Sequence, residues 1–261
     1  RKTPAMFDSL LRPSQIRTNN DAGLLRLIAC VCMCIDHAGK MLFPGLTWMR
    51  LVGRLAFPLF AYGIAVGAAM TKNPTRYLSR VMALALIPQP LYAVALDHTV
   101  IAMYDVPFTQ NPLLAAWNFY IESWHTPSIL LSLFLGLAIL LCLREKKVVL
   151  AIGIYVLCER FTGTLDYGVE GIRLILLFYV FLEHPFIALP AVTLYMLAWA
   201  HSGYGYPFFG VQFGMRIYAL PAAMLACLPI RRQTRTPRWL NYGFYPAHLL
   251  ILLILEQLPM F

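Results

Sequence analysis

From Leu24 to the C-terminus the chain runs in long apolar stretches separated by short polar breaks. Most stretches are about 16–22 residues, which at 1.5 Å per residue approaches the roughly 30 Å hydrocarbon thickness of a bilayer. The pattern predicts spans at 24–43, 48–70, 76–96, 127–143, 147–160, 167–182, 186–200, 213–230 and 241–258. The expected class is an all-α polytopic membrane protein, a single bundle of about nine transmembrane helices (range about 8–10). The fifth span is the weakest because it is short. Residues 1–23 read as a polar cytoplasmic tail ahead of a transmembrane domain at 24–261, without the apolar core of a signal peptide.

Charge follows the same pattern. With the N-terminus inside, the inner segments hold Arg12, Arg17, Lys72, Arg76, Arg144, Lys146, Lys147, Arg231, Arg232, Arg235 and Arg238, whereas the opposite loop 97–126 holds acids and no Lys or Arg. That is the positive-inside asymmetry. With an odd number of spans it places the C-terminus outside. Loop 97–126, rich in aromatic residues and Pro, is expected at the outer interface.

Composition agrees: 60% of the 261 residues are hydrophobic and 13% charged, and mean hydropathy is +0.66, leaving too little polar surface to coat a soluble globule. The net charge of +9 lies in short loops facing lipid headgroups, which argues against a nucleic-acid partner and for membrane lipids. The six cysteines lack the paired spacing of a zinc site or a disulfide framework and read as packing residues. No HExxH or comparable ligand spacing appears, so no metal is expected.

Candidate chemistry comes from polar groups inside the spans. An ionisable group at the membrane centre costs about 2.5–3.5 kcal/mol on insertion scales, so each one calls for a partner, a wet cavity or a function. Asp36 and His37 lie roughly 9–10 Å below the outer end of the first span, and Arg54 is at similar depth in the second. The two spans form a hairpin, with Gly53 permitting close approach. A base, a carboxylate and a fixed cation in one cavity suit proton transfer and anion stabilisation. The bland alternative for Asp36 is an i, i+4 pair with Lys40, and for Glu170 an i, i+3 pair with Arg173. His248 lies roughly 10 Å into the last span from its inner end. His98, His125, His184 and His201 fall in loops or at span ends. Gly63 and Gly67 form a small-xxx-small face expected to pack against another helix.

The segments IDHAGKMLF, GRLAFPLFAYGIAVG, NPTRYLSRVMALALIPQPLYAVAL, PSILLSLFLGLAILL, LDYGVEGI and NYGFYPAHLLILLIL resemble, in this order, the TraX family of membrane proteins. That resemblance implies an acetyltransferase acting on the N-terminus of a conjugative pilin, related to multi-span acyltransferases that acetylate sugars across membranes. Carried over by position, it points to Asp36, His37, Arg54 and His248 as catalytic. Acetyl-CoA would be the acyl donor, approaching from the cytoplasm, with Arg76, Arg80, Arg144, Lys147 and Arg231 as candidates for its phosphates; each of these also reads as a topology determinant. His37, oriented by Asp36, would take the acceptor's proton, and Arg54 or a protonated His248 would stabilise the oxyanion. Acetylation of an envelope glycan, a proton-coupled transporter and a non-catalytic pilus assembly factor remain as alternatives.

Overall fold

The computed structural model describes residues 12–96, 110–203, 205–208 and 210–258. Each of the nine apolar segments forms helix over most of its length. The first is α1 (Ala22–Met41); the second divides into α2 (Thr47–Gly53) and α3 (Ala56–Met70), and the third into α4 (Pro74–Leu86) and α5 (Gln89–Ala95). After α6 (Pro112–Glu122) come α7 (Ile129–Arg144), α8 (Val148–Arg160), α9 (Gly168–Val180), α10 (Pro185–His201), α11 (Leu220–Cys227) and α12 (Phe244–Glu256). Helix α6, capped by the Asn111 side chain on the Leu114 amide, lies within the expected outer loop. A small antiparallel ribbon pairs β1 (Tyr206–Phe208) with β2 (Val211–Phe213), Tyr206 opposite Phe213. The apolar pattern anticipated neither α6 nor the ribbon.

The protein is an all-α membrane protein. Three helical segments, Ala22–Met41, Thr47–Met70 and Pro74–Ala95, are long and apolar enough to cross a bilayer. The pair Pro112–His125 and Ile129–Arg144 adds a fourth only as one broken span bent by 74°. Helices α8, α9 and α12 have 13 residues each and reach ~20 Å. Among the described residues, length and composition therefore support up to four full crossings. The exposed face of α8 is nevertheless apolar, with Val149 86% exposed and Ile152, Val156 and Leu157 beside it, a surface suited to lipid.

Proline explains the breaks. Pro58 offers no N–H to the Arg54 carbonyl four residues back, and the second segment breaks at Arg54 and Leu55. Pro88 and Pro90 interrupt the third in the same way. Each break turns a polar residue inward: Arg54 at the first, and at the second Gln89, whose amide donates to the Ser123 and Thr126 carbonyls while its oxygen accepts the Ser128 N–H.

The main core joins α1, α3, α7, α9, α10, α11 and α12 around Tyr62, Phe178 and Tyr179. The described part of the expected tail, residues 12–21, packs into the base of this bundle. Thr18, Asn19 and Asp21 are buried, and Tyr62 donates to the Asn19 carbonyl at 2.7 Å. Asp21 caps α1 through the Leu24 amide and accepts both the amide and the hydroxyl of Thr234. Burial pushes the Asp21 carboxyl up, but these hydrogen bonds and the nearby Arg232 charge outweigh it and hold the group below the ordinary carboxylate value.

Candidate functional site

Helices α1 and α12 pack against each other near the middle of the bundle, and there His37 meets His248. His37 Nδ1 lies 2.8 Å from His248 Nε2, the rings stack with centroids 5.0 Å apart, and the residues are only 8% and 5% exposed. His248 Nδ1 lies 3.0 Å from the Phe244 carbonyl. A carbonyl can only accept, so in the neutral pair His248 carries its proton on Nδ1 and presents a lone pair at Nε2. His37 must then donate from Nδ1. Its own Nε2 is left with the free lone pair, which is the arrangement of an oriented base.

Asp36 faces the other way. Successive residues on a helix do not share a face, and while His37 turns to α12, Asp36 turns to α2 and the break after it. Its carboxylate pairs with Arg50 at 2.8 Å and with Arg54 at 3.7 Å, and Arg50 also donates to the Asp36 carbonyl. This corrects both expectations for Asp36, as the orienter of His37 and as the partner of Lys40; the Lys40 ammonium donates to the Leu96 carbonyl at 2.9 Å. Gly53 plays its expected part, since a Cβ there would run into the Asp36 side chain.

Arg54 converges with Asp36 as the hairpin predicted, but its guanidinium is shared among several acceptors. It donates to the Tyr167 hydroxyl and to the Arg50 carbonyl, each at 3.3 Å. Tyr167 is held by stacking on Phe57 at 4.1 Å. The turn that brings Asp166 and Tyr167 here uses Gly168 at φ 60°, a conformation costly for other residues. Asp166, accessible to solvent, lies within electrostatic range of Arg54, Arg50 and Asp36. Arg50, Asp166 and Tyr167 escaped the sequence reading; LDYG, flanking a span and carrying an acid beside a tyrosine, was the available signal.

Two cavities flank the histidine pair. One, of about 200 Å³, is lined by Arg26 and Met33 of α1, Gly63 of α3, Tyr77 of α4, and Asn241, Phe244 and Tyr245 leading into α12. The other, a crevice of about 530 Å³, is lined by Lys40 and Met41 of α1, Val94 of α5, and Leu253, Glu256 and Gln257 of and after α12. On α1, His37 lies between Met33 and Lys40; on α12, His248 lies between Tyr245 and Leu253. The two helices thus run parallel from one cavity to the other, with the imidazoles between.

Gly63 departs from expectation. Nothing lies within 4 Å of a Cβ built there, because it borders the first cavity; only Gly67 serves close packing, under Tyr77. The phosphate candidates scatter. Arg144 donates to the Ala68 and Thr71 carbonyls, closing the end of α3, Arg231 donates to the Ile16 carbonyl, and Lys147 pairs with Glu145. Arg76 is exposed. Arg80 lies over the Tyr242 ring, 5.8 Å from its centroid, beside the first cavity, whose wall also includes Arg26, a residue the sequence reading passed over.

The Glu170 and Arg173 pair is loose at 3.8 Å. Arg173 instead binds Glu159 of α8 and accepts no role near the histidines; Tyr155 completes that cluster. His125 pairs with Glu122, His184 precedes α10, His201 packs on Phe213, and His98 lies outside the described residues. All six cysteines are free thiols, and among the described residues no group of three or more His, Cys, Asp or Glu is placed to hold a metal ion.

The family model described as TraX protein matches residues 21–256, which includes both histidines and every wall of both cavities except Gln257. The chain belongs to the TraX family. Among curated relatives of this TraX-family chain, a probable fimbrial assembly protein FimC, serogroup H1, of Dichelobacter nodosus is 30% identical over 88 residues, covering 32% of the chain and 36% of the relative. An uncharacterized protein, RP591, of Rickettsia prowazekii is 45% identical over 49 residues, 19% of each chain. Protein TraX of Escherichia coli K12 is 37% identical over 57 residues, 22% of this chain and 23% of that protein. These alignments span between 19% and 36% of the relatives' own lengths. No solved structure matches the chain.

Proposed function

We propose that this TraX-family protein is a membrane-embedded acetyltransferase in which His37 Nε2 is the general base. The observation that carries the reading is the buried His37–His248 pair between two cavities at opposite ends of α1 and α12. A donor and an acceptor arriving from opposite sides of a membrane need a shared base where their paths meet. The cavity beside Arg26 and Asn241 suits acetyl-CoA from the cytoplasm: Arg26 meets an anionic end, and the Asn241 Oδ1, buried without a hydrogen-bond partner, is an acceptor for an amide N–H of the donor's arm. The crevice beside Lys40 and Glu256 suits the acceptor.

In the reaction His37 Nε2 removes the proton from the acceptor amine as its nitrogen attacks the acetyl carbonyl. His248 Nε2 holds the His37 Nδ1 proton throughout, fixing the tautomer and sharing the charge of the imidazolium. His37 then returns the proton to the departing thiolate, so that an amide and a free thiol result. Arg50, Asp36 and Arg54 hold the α1–α3 hairpin that carries His37. The names of two relatives, a fimbrial assembly protein and protein TraX, favour the N-terminus of a pilin-type protein as the acceptor over a glycan hydroxyl.

The test is acetyl transfer by purified protein in lipid vesicles, using radiolabelled acetyl-CoA and pilin-type peptides with free or blocked N-termini. Label confined to free N-termini supports the reading, and no label on any acceptor contradicts it. A hydrogen-bonded histidine pair between two cavities equally suits a proton path, which gives the transporter reading its support. Proton flux through the vesicles that needs His37 but no acetyl donor would favour that second reading.

A further inference from the structure

Tyr245 lies one turn before His248, with its ring edge-on to that imidazole at 5.6 Å. The same ring lines the cavity assigned above to the acetyl donor, and the residue is 5% exposed. Its hydroxyl is buried and makes no hydrogen bond; the Ser128 side chain lies beside it, outside hydrogen-bond geometry and itself without a partner. A buried hydroxyl left unpaired is costly, and this one belongs to a ring packed against His248. Arg54, the cation expected to stabilise an oxyanion, is already shared among Asp36, Tyr167 and the Arg50 carbonyl.

We propose that the Tyr245 hydroxyl is the hydrogen-bond donor to the acetyl carbonyl oxygen, and so a catalytic residue of the acetyl transfer. The inference rests on the acetyltransferase reading and adds to it the group that meets the developing negative charge. As the acceptor nitrogen bonds to the carbonyl carbon and His37 Nε2 takes its proton, the carbonyl π electrons move onto oxygen. The Tyr245 O–H shortens its hydrogen bond to that oxygen without giving up its proton. When the pair returns to re-form the carbonyl, the carbon–sulfur bond breaks and the thiolate leaves with the proton from His37. An uncharged donor held in a dry site stabilises the oxyanion more than the ground-state carbonyl, which is what accelerates the step.

The experiment is steady-state acetyl transfer by the full chain in lipid vesicles, comparing wild type, Tyr245→Phe, and protein with 2,3-difluorotyrosine at position 245, together with thermal unfolding of each. The phenylalanine keeps the ring on His248 and removes only an unpaired hydroxyl. Expected is a fall in kcat on the order of 10²–10³-fold, with KM for acetyl-CoA within about twofold, unfolding temperature unchanged or raised, and activity restored in the fluorotyrosine protein. A kcat for Tyr245→Phe within about threefold of wild type overturns the role of Tyr245 and leaves the His37 reading standing. A loss of activity in Tyr245→Phe that comes with a lowered unfolding temperature overturns it as well, since the hydroxyl then serves the fold. If wild type transfers no acetyl group at all, the parent reading fails and takes this one with it.

Discussion

Replacing His248 separates orientation from packing at the histidine pair. In His248→Leu the space stays filled, but the His37 Nδ1–H loses its acceptor in a region where that residue is only 8% exposed. An unsatisfied buried donor costs about 1–3 kcal/mol. The ring escapes that cost by carrying its proton on Nε2 instead, and the base then has no lone pair where the acceptor arrives. Stability should therefore fall little while turnover falls on the order of 10²–10⁴-fold, the range for loss of a general base or of its tautomer. His248→Gln offers a carbonyl oxygen to the His37 Nδ1–H and keeps the tautomer, although glutamine cannot share the proton, so its turnover should lie between wild type and His248→Leu. The assay is single-turnover acetyl transfer from labelled acetyl-CoA at saturating donor, with unfolding temperature measured on the same samples. Equal turnover of the leucine variant and wild type would refute the reasoning, as would a glutamine variant no better than leucine.

Three further outcomes follow from the same geometry. Gly63→Leu places a side chain in open space beside the donor cavity, so it should fold normally and raise KM for acetyl-CoA about tenfold or more while KM for the acceptor holds, since a few contacts of about 1.4 kcal/mol are at stake; unchanged donor kinetics would remove that cavity from the account. Asp36→Ala leaves Arg50 and Arg54 without their shared carboxylate and should destabilise the protein by about 3–5 kcal/mol for a partly buried network at its upper limit, with Gly53→Ala acting in the same direction by displacing Asp36; denaturant unfolding in mild detergent reads both. Asp21 has a depressed folded value, so its contribution is present above the unfolded carboxylate value of 3.8 and is lost as pH falls below it; Asp21→Asn should flatten the acid limb of an unfolding-temperature profile, and an unaltered limb would contradict the latch to Thr234.

Hydropathy placed the nine apolar helices, because a helix that meets lipid must be apolar over most of its face and length. It overstated their reach, since helix ends depend on Pro58, Pro88 and on residues such as Asp166 that carry no periodic signal. Depth along a helix was enough to set Asp36 beside Arg54, but it put His37 about 10 Å from the outer end and His248 about 10 Å from the inner end, and the structure brings the two into contact. Azimuth separates Asp36 from His37 by one residue's rotation, which a helical projection of IDHAGK shows. The histidine contact itself, between residues 211 positions apart, follows from the parallel packing of α1 on α12, which no local pattern encodes. Arg144 and Arg231 satisfy backbone carbonyls, a use that charge counting cannot distinguish from phosphate binding. Gly63 and Gly67 share one motif yet meet different surroundings, a cavity and a tyrosine, because their neighbours come from distant segments.

The central claim is that His37 Nε2 is the base of an acetyl transfer. Single-turnover transfer from labelled acetyl-CoA to a free-amine pilin-type peptide, by wild type and by His37→Ala shown to keep the wild-type unfolding profile, tests it most directly. The account predicts transfer by wild type and a loss on the order of 10²–10⁴-fold in the variant. Wild-type rates from a folded His37→Ala protein would contradict it.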